Sequence, residues 1–158
     1  MRFKLIVCLC VVSFFGSAQS EEEKEIMMVV NNVFEAMRTS DSTLLKSCFV
    51  EDPVTFTIFR NKEGETKFNR DDFQRFIDGV GRPKEKIWNE PIWNEKIEID
   101  DDLASVWVDY AFYLDDQFSH CGVDAFNLVR LDGVWKIYHL ADTRRRTDCE
   151  VPEDKKPD

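Results

Sequence analysis

Asp132-Gly133 stands between two long runs rich in β-branched and aromatic residues, Ser119–Leu131 and Val134 to about Arg145. A two-residue Asp-Gly loop between such runs is a hairpin signal, because both residues tolerate the positive φ of a type I′ turn. It joins two long antiparallel strands and sets their register. Counting back from the turn pairs Leu131 with Val134, Arg130 with Trp135, Leu128 with Ile137, Phe126 with His139 and Asp124 with Ala141. One face then carries Leu128, Phe126, Trp135 and Ile137 and must be core. Asp124, His139, His120, Thr143 and Arg145 continue that face toward the far end. The other face carries Val129, Asn127, Lys136, Tyr138, Asp142 and Arg144, a mixed surface that, with Leu140, suits a dimer interface.

The hairpin before it is set less tightly. A turn at Asp115-Asp116 pairs Leu114 with Gln117 and brings Trp107 and Asp109 onto the same face as Asp124. A slip of one residue turns Val106, Val108, Tyr110 and Phe112 inward instead, and that choice is the more apolar. Upstream, Ile87 to Glu95 repeats Ile-Trp-Asn-Glu after five residues. The odd offset puts Trp88 and Trp93 on opposite strand faces unless a bulge near Pro91 restores the register. Asp100-Asp101-Asp102 reads as a turn.

The N-terminal half reads as helical. Ile26, Val30, Val33 and Met37 recur at steps of four, three and four, one face of a helix that opens on the acidic run Glu21–Glu25. Ser40-Asp41-Ser42 supplies caps for a short second helix over Leu44, Leu45 and Cys48, which Pro53 stops. Val54–Phe59 and Thr66–Phe68 read as strands around a turn. Asn69 caps a third helix, with Asp71 and Asp72 in its first turn, ending near Gly79, Gly81 and Pro83. Helices followed by long antiparallel strands predict an α+β fold: a cone-shaped curved antiparallel sheet wrapped around N-terminal helices, with a pocket inside.

Residues 1–20 stand apart. Arg2 and Lys4, an apolar run from Leu5 to Phe15, then Gly16, Ser17 and Ala18 describe a signal peptide, cleaved after Ala18 or Ser20. The apolar run is too short for a membrane-spanning helix, which needs about 20 residues. The expectation is a secreted or periplasmic protein with no membrane contact after cleavage. Removing residues 1–20 moves the net charge from −10 to −12 and leaves Cys48, Cys121 and Cys149. Cys48 lies in an apolar context and reads as a buried thiol. That leaves Cys121 and Cys149 as the preferred disulfide in an oxidising compartment. The domain spans 21–146, and 147–158 reads as a disordered acidic tail.

The acidic balance excludes nucleic acid as a partner, since phosphate binding needs clustered Lys and Arg. Alternate strand residues face opposite ways, so Arg144, Arg145 and Arg146 are not expected to form one patch. No Gly-rich phosphate loop, Gly-x-Ser-x-Gly elbow or Cys-x-x-Cys motif is present, so no cofactor is expected. Candidate chemistry rests on the pocket face. Asp124 is the candidate base and His139 its partner, with His120 nearby, since a partly desolvated carboxylate rises toward neutral pKa. Trp107, Asp109, His120, Phe126, Trp135 and Arg145 are candidate ligand contacts, Arg145 as a bidentate anion anchor. The alternative is that Asp124 is a structural carboxylate paired with Arg145 and the histidines are satisfied polar groups. Asp124, His120 and His139 also supply three ligand types for a metal, but without a ligand-spaced motif no metal site is assigned.

The stretch His120-Cys121-Gly122-Val123-Asp124-Ala125-Phe126, and Gly133-Val134-Trp135-Lys136-Ile137 running to Ala141-Asp142-Thr143-Arg144-Arg145, resembles the nuclear-transport-factor-two-like superfamily. That superfamily includes SnoaL-type cyclases and ketosteroid isomerases, and the resemblance is nearest to its small, mostly bacterial lumazine-binding group. It covers roughly residues 24 to 146 with the N-terminal helix. It implies the α+β cone, a small hydrophobic or aromatic ligand, and a homodimer. Three functions follow as expectations. The first is an exported small-molecule-binding domain with Trp107 or Trp135 stacking on a flat ligand. The second is a cofactor-free isomerase, cyclase or hydrolase using Asp124 and a histidine. The third is a dimeric interaction module.

Overall fold

Residues 20–157 are described by the computed structural model; the expected signal peptide falls almost wholly outside them. Helix α1 (Glu21–Thr39) begins with a capping box: the Ser20 hydroxyl accepts the Glu23 N–H at 3.1 Å, and the Glu23 carboxylate accepts the Ser20 N–H at 2.7 Å. Ile26, Val30, Val33 and Met37 are all buried, as their spacing predicts. Asp41 caps α2 (Ser42–Cys48) by accepting the N–H groups of Thr43 and Leu44.

Strand β1 (Phe49–Arg60) follows at once. Pro53 does not stop a helix. It lies inside β1, at an irregularity in the pairing between Phe49 and Val54, where a residue without an N–H breaks no ladder bond. Asn69 is likewise no cap. It belongs to β2 (Thr66–Arg70), and Asp72 caps α3 (Phe73–Gly81) by accepting the Arg75 N–H. Then come β3 (Trp88–Asn89), β4 (Ile92–Asp100), β5 (Leu103–Leu114), β6 (Gln117–Leu131) and β7 (Val134–Arg144).

The sheet order is β2-β1-β7-β6-β5-β3, with β4 also on β5, so the sheet is open at both edges. Every pairing is antiparallel except β1 with β7, which is parallel. One face packs on the helices: Ile26, Val30 and Val33 share a core with Val106, Val108, Phe126, Leu128, Trp135 and Ile137. This is the expected α+β arrangement. Trp88 joins that core, edge-on to Phe112, while Trp93 packs on the opposite face beside Tyr113 and Cys121, as their odd offset implies.

The Asp132-Gly133 turn has the positive φ values expected, 51° and 80°. Its register holds from Leu131↔Val134 to Leu128↔Ile137 and then shifts by one, so Asn127 opposes His139 and Asp124 opposes Asp142. Tyr138 is the extra residue. The β5–β6 hairpin does the same: Leu114↔Gln117 holds, a shift follows Tyr113↔Phe118, and Val108 opposes Asp124. A bulge inserts one residue and exchanges the two faces beyond it. It turns Val106, Val108 and Tyr110 inward, and burying such side chains contributes about 1.5–3 kcal/mol each. Trp107 and Asp109 face outward.

The C-terminal segment, expected to be disordered, lies on the outer face of the sheet. Cys149 forms a disulfide with Cys121, with the Cα atoms 6.0 Å apart, and Cys48 stays free and buried. Val151 packs with Trp93 on Ala111 and Tyr113, and Glu153–Lys155 forms one 3₁₀ turn. The Cys121–Cys149 link and the Val151 contacts both tie the segment there.

Candidate functional site

The inner face of the sheet changes character along its length. Near the Asp132-Gly133 turn it is apolar, with Leu128, Trp135 and Ile137. Beyond the Tyr138 bulge, Leu140 faces inward beside Phe126 and Asp142 beside Asp124. Tyr110 reaches in from β5 opposite Gly122. Glu90 arrives from the link between β3 and β4. These side chains, with His120 and Arg144, form the polar end of a chamber of about 90 Å³ whose apolar wall includes Val33, Phe34, Met37 and Phe76.

Asp124 is 3% exposed, and with both acids ionised its Oδ2 has no hydrogen-bond donor among the described residues. Its carboxyl lies within hydrogen-bonding reach of the Glu90 carboxyl. Burial, then the neighbouring charges of Glu90 and Asp142, hold Asp124 well above the ordinary carboxylate range. Burial, then Asp142, pushes Glu90 up to about 8. Glu90 as a whole residue is half-buried, and it lines the chamber. Two adjacent carboxyls in such a place cannot both ionise, so the pair holds a proton at neutral pH.

Asp142 is partnered differently. It accepts Arg144 Nε at 2.6 Å and the Thr57 hydroxyl at 2.7 Å. Arg144 Nη2 in turn donates to Thr57 Oγ1 at 3.1 Å. Burial opposes the Arg144 charge, but the Asp142 carboxylate outweighs it and keeps the guanidinium protonated. The Tyr110 hydroxyl donates to the Thr143 carbonyl at 2.9 Å, and burial, then the surrounding carboxyls, keep it neutral. His120 sits 3.0 Å from Ser119 Oγ, between the Tyr110 and Phe112 rings. Burial, then the Arg144 charge, pushes its imidazole down to about 4, so it is neutral at physiological pH.

His120 and Arg144 also line a much larger open groove, of about 840 Å³, between the β1–β2 turn and the end of β7. The chamber and the groove therefore share these two lining side chains.

Of the candidate residues read from sequence, Asp124, His120 and Phe126 come together here. His139 does not: the Tyr138 bulge puts it on the outer face, 3.0 Å from the Asn127 amide and against Phe56. It cannot partner Asp124, and the Asp124–His120–His139 metal set is dissolved with it. Trp107 is 48% exposed on that outer face, and Asp109 accepts from Asn94 Nδ2 at 2.7 Å. Neither reaches the pocket. Trp135 points inward but into the apolar core beside Arg130, away from the chamber. Arg145 bridges Cys121 through its backbone and lines the groove, not the chamber, so it does not pair with Asp124. Arg144, Arg145 and Arg146 all line that groove, contrary to strict alternation.

Glu90, Asp142 and Arg144 are the functional candidates that sequence reasoning missed. An uninterrupted register assigns the last two to the opposite face. Glu90 lies before Pro91 in the Ile-Trp-Asn-Glu repeat, where the sequence reading gives it no role. Its one clue is its setting, an acid among Trp88, Ile92 and Trp93.

Solved structures share this architecture. A protein of unknown function described as NTF2-like, from Shewanella baltica OS155, matches with a TM-score of 0.61 and 18% identity over 80% of this chain and 96% of its own. A protein of unknown function with a cystatin-like fold, from Nostoc punctiforme PCC 73102, matches with a TM-score of 0.62 and 11% identity over 81% of this chain and 95% of its own. A protein of unknown function from Mycobacterium tuberculosis gives a TM-score of 0.62 and 19% identity over 84% of this chain and 83% of its own. At these identities the likeness establishes the fold alone. Among curated proteins none matches. The family model described as "Putative lumazine-binding" matches residues 21–139, from α1 through most of β7, and the chain belongs to that family.

Proposed function

We propose that this protein is an exported small-molecule-binding domain whose ligand enters through the groove and presents a hydrogen-bonding end to the Glu90–Asp124 pair. The observation that carries this is Asp124 Oδ2, buried with no donor among the described residues beyond the proton its carboxyl shares with Glu90, in a chamber that shares His120 and Arg144 with a groove of about 840 Å³. Buried polar atoms are nearly always partnered in folded proteins, so such an atom facing a cavity suits a ligand contact. The chamber alone holds about three waters, taking roughly 30 Å³ for each. The groove is within the usual range of ligand sites, about 300–1,000 Å³. The family label supports a small, flat ligand. Native mass spectrometry of the protein purified from its source compartment tests the reading. A bound small molecule lost in Asp124→Ala supports it, and an empty protein with no ligand response in thermal shift refutes it.

A second reading rests on the shared proton of the Glu90–Asp124 pair. A carboxyl poised near neutrality beside a ligand chamber suits general acid–base work. Glu90, not His139, is then the partner of Asp124. Once a ligand is known, Asp124→Asn separates the two readings: retained binding with abolished turnover makes the protein an enzyme.

Export and self-association belong to the same proposal. The Cys121–Cys149 disulfide suits an oxidising compartment. Ser20 caps α1, so cleavage after Ala18 keeps the cap and cleavage after Ser20 removes it. Intact mass of the exported protein distinguishes the two. The outer face exposes Trp107 and Phe68, which suits a homodimer, and sedimentation velocity tests it.

A further inference from the structure

The groove outside the chamber has a charge opposite to that of the chain. The whole sequence carries a net charge of −10. Yet Arg60, Lys62, Arg144, Arg145 and Arg146 line the groove, against Glu63 and Asp71. Arg144 is committed to Asp142. Arg60, Lys62, Arg145 and Arg146 make no ion pair with any carboxylate among the described residues. Arg60 donates one N–H to the Gly64 carbonyl and Arg145 donates Nε to the Asp148 carbonyl, which leaves the rest of both forks unspent.

Both walls are held in place before any ligand arrives. On one side, the Asn61 side-chain carbonyl accepts the N–H groups of Glu63 and Glu65 at 3.1 and 2.9 Å and braces the β1–β2 turn. On the other, Arg145 exchanges two backbone hydrogen bonds of 2.9 Å with Cys121, next to the Cys121–Cys149 disulfide. Cations fixed on braced backbone lose less freedom on binding than cations on a mobile loop. Guanidinium forks match the planar, multi-oxygen geometry of carboxylate and phosphate. Thr57, Asn69 and Ser119 add neutral polar groups along the same groove.

We propose that this groove binds an oxyanion, a phosphate or carboxylate group on the small molecule, held by Arg145, Arg146, Arg60 and Lys62. The inference rests on the binding role of the chamber and orients the ligand. Its anionic end stays in the groove, and a neutral hydrogen-bonding end meets the carboxyl pair. The reverse orientation sets an anion against Asp142, Asp124 and Glu90.

Inorganic phosphate and pyrophosphate are the probes, titrated against sodium chloride at matched ionic strength. The imidazole resonances of His120 and His139 are the reporters. His120 lies at the groove, faced by Arg144, Arg146 and Asp142, whereas His139 lies on the outer face and serves as the control. The expected result is a saturable His120 shift with an upward movement of its pKa, because a bound anion offsets the guanidinium charges, while His139 stays in place. Arg145→Gln/Arg146→Gln weakens phosphate at least about tenfold, the scale of one lost charge-assisted hydrogen bond. Both side chains are exposed, so the fold is retained. Equal response to chloride, or unchanged phosphate binding by the double variant, overturns the inference. Native mass spectrometry separates the two failures. A co-purified molecule with no phosphate response overturns the oxyanion site alone, and absence of both overturns the chamber as well.

Discussion

At the scale of single residues, the Glu90–Asp124 pair makes a pH prediction. An acid whose folded pKa is raised keeps its proton in the native state at pH values where the unfolded chain has lost it. Stability therefore drains as pH rises from Glu90's ordinary 4.5 to about 8. Asp124 acts in the same direction. Glu90→Gln removes part of this drain. The variant is expected to melt higher than the parent at pH 8, with a gain on the order of 2 kcal/mol, and to converge with it near pH 4.5. Thermal melts at both values check it, and a variant less stable at pH 8 refutes the shared proton. Gly122 carries a second prediction. A Cβ there stands 1.7 Å from the Thr143 carbonyl oxygen and 2.8 Å from the Tyr110 ring. Backbone cannot yield by that much, so Gly122→Ala is expected to cost at least about 4 kcal/mol or prevent folding, read by urea denaturation. Asp124 was legible as a pocket acid from the hairpin arithmetic, because it lies on the strand where parity held. Glu90 was not, because nothing local says that a pre-proline acid faces inward.

At the scale of elements, apolar periodicity and the Asp41 cap were legible, whereas the Ser20 and Asp72 caps and the bulges were not. The face of α1 follows from steps of three and four, which any local reading detects. Ser20→Ala breaks its capping box and is expected to lower stability by about 1 kcal/mol, measured as a shift in urea midpoint. The hairpin turns were also legible, since their residues must reach positive φ. Register beyond each turn was not. Between Asn127 and Leu128, and again between Phe112 and Tyr113, the ladder shifts by one residue. One residue exchanges Trp107 for Val106 and Val108 in the interior, and His139 and Arg145 for Leu140, Asp142 and Arg144. Which face wins depends on what the helices offer opposite it.

At the scale of the whole molecule, the disulfide gathers the C-terminal segment onto the sheet and stands behind Arg145. It spans a separation of 28 residues, for which loop-closure entropy predicts about 3–4 kcal/mol of stabilisation. Cys149→Ser is expected to lose that amount and to open the segment after Arg146 to limited proteolysis. Wild-type resistance in the variant would show that the Val151 contacts suffice alone. The acidity of the chain conceals a basic groove that folding assembles from the β1–β2 turn and the end of β7. Composition, helix faces, turn positions, the preferred cysteine pair and the α+β class were all readable from residue order, because each depends on neighbours within a few positions or on residue chemistry. The chamber was decided by tertiary packing. Burying Val106, Val108 and Tyr110 against the helices selects the bulged registers, and those registers turn Asp142 and Arg144 toward Asp124 while long-range closure delivers Glu90. Strand parity holds only while every residue pairs, and the free energy that breaks it lies across the core rather than along the strand.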